Sequence, residues 1–219
     1  MSTDQRDHAP ATGLSTAALS DALDRLGRPG ALLGIAPLQP GTRMVGTAFT
    51  VRYVPAGSPP GTVGDYLDAM APGQVAVLDN AGRLDCTVWG DILTAVADRR
   101  GIAGTVVDGV CRDTRRARDL GYPMFTRGAF MRTGKDRVEV AEVGGPVSVG
   151  GVLIRPGDLL VGDGDGVVAI AAEAVDEVLR VAREITEREG RILDDALAGA
   201  TIAEARGRHG YHQLQRAEP

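Results

Sequence analysis

Arg112 and Asp113 stand side by side at the end of an apolar run, inside the stretch VVDGVCRDTRRARDLG, residues 106–121. A cation and an anion closing a buried strand suit a surface turn. They equally suit a site in which the acid holds a metal ion and the guanidinium holds a substrate oxygen. A lone carboxylate that leaves most coordination positions to water fits Mg2+ or Mn2+, which prefer oxygen ligands. An arginine fork donates two hydrogen bonds to a carboxylate, or to an enolate oxygen as charge develops on it. Each residue also has a plainer reading: Asp113 as the N-cap of a helix that begins at Thr114, and Arg112 as a solvated charge.

A second stretch, Gly90-Asp91-Ile92-Leu93, opens a helical pattern. A glycine before a helix start leaves unpaired N–H groups open to a ligand, and helix N-termini attract carboxylates and phosphates. The plain alternative makes Asp91 an N-cap. The binding reading carries a tension, because Asp91 would repel an anion held by the neighbouring amides unless a cation or an ordered water lies between them. Arg112-Asp113 supplies that cation if the two stretches meet.

The elements around them make such a meeting plausible. LSTAALSDALDRLG reads as a helix, with Leu19, Ala22, Leu23 and Leu26 at helical spacing and Gly27 as its stop. RMVGTAFTVRYV alternates as a strand, residues 62–71 read as a short helix, and QVAVLDN as a short strand. GDILTAVADRRG follows as a helix expected to turn Ile92, Leu93 and Val96 inward, AGTVVDGV as a strand, DTRRARDLG as a helix and YPMFTRG as a strand. This βαβ rhythm predicts a sheet with parallel strands, and ligands sit at the C-terminal ends of such strands. Residues 138–170 then read as several strands joined by tight turns. AAEAVDEVLRVAREITEREGR reads as a helix with Val175, Val178, Leu179, Ala182 and Ile185 on one stripe, and a second helix is expected over roughly 191–206. The reading is one α/β domain over residues 1–219, with a disordered start at 1–12 and a tail at 207–219.

Composition excludes several classes. A net charge of −5 argues against a broad nucleic-acid surface. The polar start MSTDQRDHAP is no signal peptide, and no apolar run approaches a membrane span. Cys86 and Cys111 lack a partner spacing and read as buried, reduced thiols of a cytoplasmic protein. GDGDG at 162–166 fails the calcium-loop spacing and reads as a tight turn. His209 and His212 lack a third metal ligand nearby, Arg115, Arg116 and Arg118 read as a solvated face, and Lys135, the only lysine, has no assigned task. No Gly-x-Ser-x-Gly elbow and no glycine-rich cofactor loop of a methyltransferase is present.

WGDILTAVADRRGIAGTVVDGVCRD, LGYPMFTRG and PGDLLVGDGDGVVAI together closely resemble the RraA-like family, from about Thr16 to Arg191. That family includes 4-hydroxy-4-methyl-2-oxoglutarate aldolases and related oxaloacetate decarboxylases. Its most specific element, an Asp followed after twenty residues by Arg-Asp, is matched by Asp91 and Arg112-Asp113. Members that regulate ribonuclease E typically lack the final Asp, so the resemblance favours the enzyme branch. It implies a swivelling β/β/α sandwich, built into homotrimers or homohexamers with sites at subunit interfaces.

It further implies a class II, metal-dependent lyase that releases pyruvate from a small 2-oxo acid. Asp113 would be the ligand to Mg2+ or Mn2+, Arg112 the contact to the pyruvyl oxygens, and the Gly90, Asp91, Ile92 and Leu93 amides the carboxylate cradle. Asp91 would hold the catalytic water, and Glu187 or Glu189 of a neighbouring subunit would add an acid. The metal would act as a Lewis acid on the enolate left when the C3–C4 bond breaks. The rival from another class is a non-catalytic RraA-like regulator that binds a ribonuclease or RNA helicase.

Overall fold

The computed structural model describes residues 11–211. Most of the expected disordered start, and His212 with the rest of the tail beyond residue 211, lie outside that range. Within it, Ala11 is buried, and residues 207 and 208 end a helix rather than open a tail. The described residues form two compact units: residues 31–172, and residues 11–30 together with 173–211.

The larger unit is built on an eight-stranded mixed sheet. Its strands are β1 (Ala36–Pro37), β2 (Met44–Pro55), β3 (Gln74–Thr87), β4 (Gly104–Cys111), β5 (Met124–Ala129), β6 (Val138–Val143), β9 (Leu159–Asp163) and β10 (Gly166–Ile170), while β7 (Val147–Val149) and β8 (Val152–Ile154) pair apart as a hairpin. The order is β1-β5-β4-β3-β2-β9-β10, with β6 pairing on β2 beyond β9. Strands β2, β3, β4 and β5 run parallel, as the βαβ rhythm requires; the others join antiparallel. Helices α2 (Asp91–Arg99) and α3 (Thr114–Leu120) are the crossovers after β3 and β4.

Side-chain alternation along the strands sorts two cores. Ala76, Leu78, Val107 and Met124 pack with Ala97 of α2 and Ala117 of α3. Their chain neighbours Val75, Val77, Val106 and Phe125 pack with Val147, Val149 and Ile154 of the hairpin. Hairpin, sheet and helices thus make the expected β/β/α layering. Two carboxylates tie the hairpin down: Asp79 accepts from the Ser148 amide and Asp108 from the Gly150 amide. Asp108 also pairs with the Arg127 guanidinium, so its buried charge is matched. The GDGDG segment is the β9–β10 turn, with Asp163 accepting from the Asp165 amide.

Three local expectations need correction. Strand β3 does not stop at Asn80 but runs to Thr87, through a bulge in which Ala81 and Gly82 take positive φ. The face of α2 turned to the sheet is Thr94 and Ala97; of the three residues expected inward, Leu93 packs half-buried against the core, whereas Ile92 is 74% and Val96 38% exposed. In the smaller unit, α4 (Val175–Leu197) does not end near Arg191, because Ile192 continues the buried stripe of Val178, Leu179, Ala182 and Ile185. The break falls at Gly199, φ +106, and α5 (Ile202–Arg208) starts on a capping box between Thr201 and Glu204. Helix α1 (Thr16–Arg25) ends as expected, with Gly27 left-handed after it. Among the described residues no helix is long and apolar enough to cross a membrane.

Close packing of β2 on the start of β3 makes one stability prediction. A Cβ on Gly46 would press on the Gly73 carbonyl oxygen and stand 2.9 Å from Ala103 Cβ and 3.0 Å from Val75 Cγ2. Backbone cannot swing aside as a side-chain tip does, so Gly46→Ala is expected to cost about 1–3 kcal/mol in denaturant unfolding.

Candidate functional site

Strands β3 and β4 are adjacent and parallel, so the loops that leave their C-terminal ends come together. All eight residues of β4 are buried, which fixes where Arg112-Asp113 emerges. The Arg112 amide donates to the Trp89 carbonyl at 3.0 Å and joins the loops directly. Gly90 is the N-cap of α2 and has no side chain to cap with.

Asp113 occupies the N-cap position of α3, yet its side chain makes no capping bond. Its backbone is left-handed, φ 55 and ψ 37, a conformation uncommon for residues other than glycine. The turn sends the carboxylate across to the other loop. Oδ2 accepts from the Asp91 amide at 3.3 Å and lies 3.2 Å from Arg112 Nε. The plain reading of Asp113 as a side-chain cap therefore does not hold. Asp91 is not the N-cap either, since Gly90 holds that position, but its Oδ1 accepts from the Ile92 amide at 2.8 Å within the first turn. Two of the four cradle amides are thus engaged by carboxylates of the chain, and an incoming anion would have to share or displace them.

The structure brings Gly90, Asp91, Arg112 and Asp113 together. Arg112 and Asp113 are 40% and 42% exposed, open enough for a ligand to reach. Ile92 projects outward, and Leu93 is half-buried, 3.4 Å from the place a Gly64 side chain would start. Glu187 and Glu189 belong to α4 in the smaller unit; Glu187 is exposed. Burial, and then the Asp21 charge, push the Glu189 carboxyl above its ordinary pKa. Cys111, beside Arg112, is buried, and burial pushes its thiol up, away from thiolate chemistry. Cys86 is likewise a free, buried thiol. His209 faces the Asp195 carboxylate at 3.1 Å.

Among the described residues no three His, Cys, Asp or Glu side chains converge as a metal cage. The donor chemistry on offer is one hard carboxylate beside a guanidinium and helix N-terminal amides. That fits Mg2+ or Mn2+, which keep several waters and take their remaining ligands from an anionic substrate.

Sequence reading missed Trp89 and Thr94, which line the buried side of this site. Trp89 Nε1 donates to Thr94 Oγ1 and Thr94 Oγ1 to the Gly90 carbonyl, at 2.9 and 2.8 Å. No local pattern marks such a pair; the Trp immediately before Gly-Asp is the only hint. PAGSPPG reads as a break after the strand, but nothing in the sequence marks the tie of this segment to Glu139. Its Gly57 and Gly61 amides donate to Glu139 of β6 at 3.0 and 2.7 Å, and these bonds hold the carboxyl below its ordinary pKa. A depressed folded pKa means the tie is complete above the ordinary carboxyl range and is lost as pH falls through the depressed value. Amide exchange at Gly57 and Gly61, corrected for intrinsic rate, is expected to quicken only on that acid side, and Glu139→Gln to remove the pH dependence.

Comparison with known proteins shows the family and the fold. The family pattern described as RraA-like, Aldolase/RraA, matches residues 16–169. Protein DlpA of Legionella pneumophila is 40% identical over 202 residues, covering 91% of this chain but 33% of DlpA, so the chain spans about a third of that relative. A Halalkalibacterium halodurans protein provisionally named 4-hydroxy-4-methyl-2-oxoglutarate aldolase is 38% identical over 191 residues, 84% of this chain and 88% of that one. An uncharacterized Pseudomonas syringae crystal structure superposes with TM-score 0.84 at 45% identity, covering 90% of this chain and 94% of that one. Streptomyces coelicolor RraAS2, described as an unusual member of the RNase ES inhibitor RraA family, gives TM-score 0.78 at 30% identity over 86% and 98% of the two chains. The chain belongs to the RraA-like family.

Proposed function

We propose that this chain is a divalent-metal-dependent lyase that cleaves the C3–C4 bond of a small 2-oxo acid to release pyruvate. The reaction is of the 4-hydroxy-4-methyl-2-oxoglutarate aldolase type, with oxaloacetate decarboxylation as a companion activity. The observation that carries this reading is the Asp113 carboxylate, turned away from its own helix to face the Asp91 amide beside the Arg112 guanidinium. The provisional name of the Halalkalibacterium relative supports it. The enzyme works in the cytoplasm as a homotrimer or homohexamer, and a neighbouring subunit lends Glu187 or Glu189.

Asp113 would hold the Mg2+ or Mn2+ ion, which when bound supplies Lewis acidity to the ketone and carboxylate oxygens of the substrate. The amides of residues 90–93 receive the carboxylate at the positive end of α2. Arg112 donates toward the oxygen on which charge builds as the C3–C4 electron pair moves to C3. In the aldol cleavage a water held by Asp91 takes the C4 hydroxyl proton, C4 leaves as a carbonyl, and a proton from water returns to C3 of the enolate to complete pyruvate. In oxaloacetate the C4 carboxylate leaves as CO2, no base is needed, and C3 of the enolate takes its proton from water.

A regulator that binds a ribonuclease or helicase would share the fold but give the reoriented Asp113 no task. The test is a panel of 4-substituted 2-oxo acids with added Mg2+ or Mn2+, read as pyruvate. Metal-dependent release from at least one member is expected. No release from any, together with capture of an RNA-processing enzyme, would replace the lyase with the regulator.

A further inference from the structure

We propose that Trp89 and Thr94 are positioning residues: a buried relay through which one tryptophan sets the aim of both halves of the site. The inference rests on the lyase reading above and adds to it the element that holds the cradle in register.

Trp89 is 1% exposed and Thr94 2% exposed, so no solvent competes for their polar groups. A threonine hydroxyl carries one hydrogen. Here Thr94 Oγ1 donates it to the Gly90 carbonyl at 2.8 Å and accepts the indole N–H of Trp89 at 2.9 Å. The Gly90 carbonyl also accepts the Thr94 amide at 3.1 Å. The Gly90 carbonyl and the Asp91 N–H belong to one planar peptide unit, so holding the oxygen fixes where the N–H points. It points at Asp113 Oδ2, 3.3 Å away. Meanwhile the carbonyl of the same Trp89 accepts the Arg112 amide at 3.0 Å. The main chain of Trp89 therefore holds the Arg112-Asp113 loop while its indole, through Thr94, holds the Gly90-Asp91 peptide. The indole itself is stacked on Tyr122, centroids 6.4 Å apart and planes within 8°, and the Tyr122 hydroxyl is bonded to Thr105 Oγ1 of β4 at 2.9 Å.

The relay predicts an order of effects. Thr94→Val is nearly isosteric, removes the donor to Gly90 and strands the buried indole N–H. Trp89→Phe removes the indole donor but leaves Thr94 free to donate to Gly90. Thr94→Ser keeps both bonds. The experiment titrates oxalate, a planar dianion, into protein saturated with Mn2+, by calorimetry well below the unfolding temperature, and follows exchange of the Asp91 amide. Thr94→Val is expected to weaken oxalate binding about 10- to 100-fold and to speed that exchange. Trp89→Phe should fall between Thr94→Val and wild type, and Thr94→Ser should lie near wild type.

Wild-type affinity and exchange in folded Thr94→Val would overturn the relay while leaving the lyase reading intact, as would a loss that Thr94→Ser fails to restore. Failure of the Mn2+-saturated wild type to take up oxalate would bring down the lyase reading, and the relay with it.

Discussion

Asp113→Asn is expected to lower kcat/KM for metal-dependent pyruvate release by roughly a thousandfold, on the order of losing a principal stabiliser of developing charge. The substitution isolates charge from shape. Position 113 is left-handed, φ 55, and asparagine tolerates that conformation well, so the turn survives. The amide oxygen still accepts from Asp91. The ion pair with Arg112 is lost, but both groups are about two-fifths exposed, and such a pair contributes on the order of 0–1 kcal/mol. Thermal unfolding should therefore move by only a few degrees while activity collapses. Asp113→Ala is the poorer probe, because alanine would add backbone strain at a positive φ. Full Mg2+-dependent activity in Asp113→Asn would show that the ion, if one acts, sits elsewhere.

Gly90→Ala is expected to cost about 100-fold in kcat/KM with little change in stability. Gly90 is extended, φ −145 and ψ −162, so alanine suits the backbone. The new methyl would stand 2.8 Å from Asp113 Oδ2 and 3.1 Å from Arg112 Nε, and 3.4 Å from Arg112 Cγ. The closest of these is the end of the Asp113 side chain, and both side chains are flexible and half-exposed, so they can swing away at little cost to folding. To do so they must leave the geometry on which catalysis depends. The pairing of a normal melting curve with a large activity loss is the signature; a normal melting curve with normal activity would show that the loops need not meet for the reaction.

The same particulars show what a linear reading reaches. Strand β4 and the residues after it were legible, because a wholly buried parallel strand reads as an unbroken apolar run and must end on whatever the site needs. Gly27 as the stop of α1 was legible because a left-handed C-terminal residue favours glycine locally. The inward face of α2 was legible only in part. Apolar periodicity picked Ile92, Leu93 and Val96; Leu93 does pack against the core, but the helix lies on the sheet through Thr94 and Ala97, with Trp89 and Tyr122 filling the adjoining space. That choice is made by partners far along the chain. The bulge of β3 was hidden for the same reason: neighbours across the sheet, not the local residues, decide whether a strand goes on. The meeting of Asp91 with Asp113 followed from the βαβ rhythm and the family resemblance, and its physical form, a carboxylate released from capping by a left-handed backbone, is visible only in three dimensions.

The most direct measurement is anomalous diffraction from crystals of the protein grown with Mn2+ and oxalate. One Mn2+ peak is expected about 2.1 Å from an Asp113 carboxylate oxygen, an ordinary octahedral-ion distance. The oxalate bound to that ion is expected to take hydrogen bonds from Arg112 and from amides of residues 90–93. A peak on other ligands, with Asp113 still on the Asp91 amide and oxalate absent from the loops, would contradict this reading.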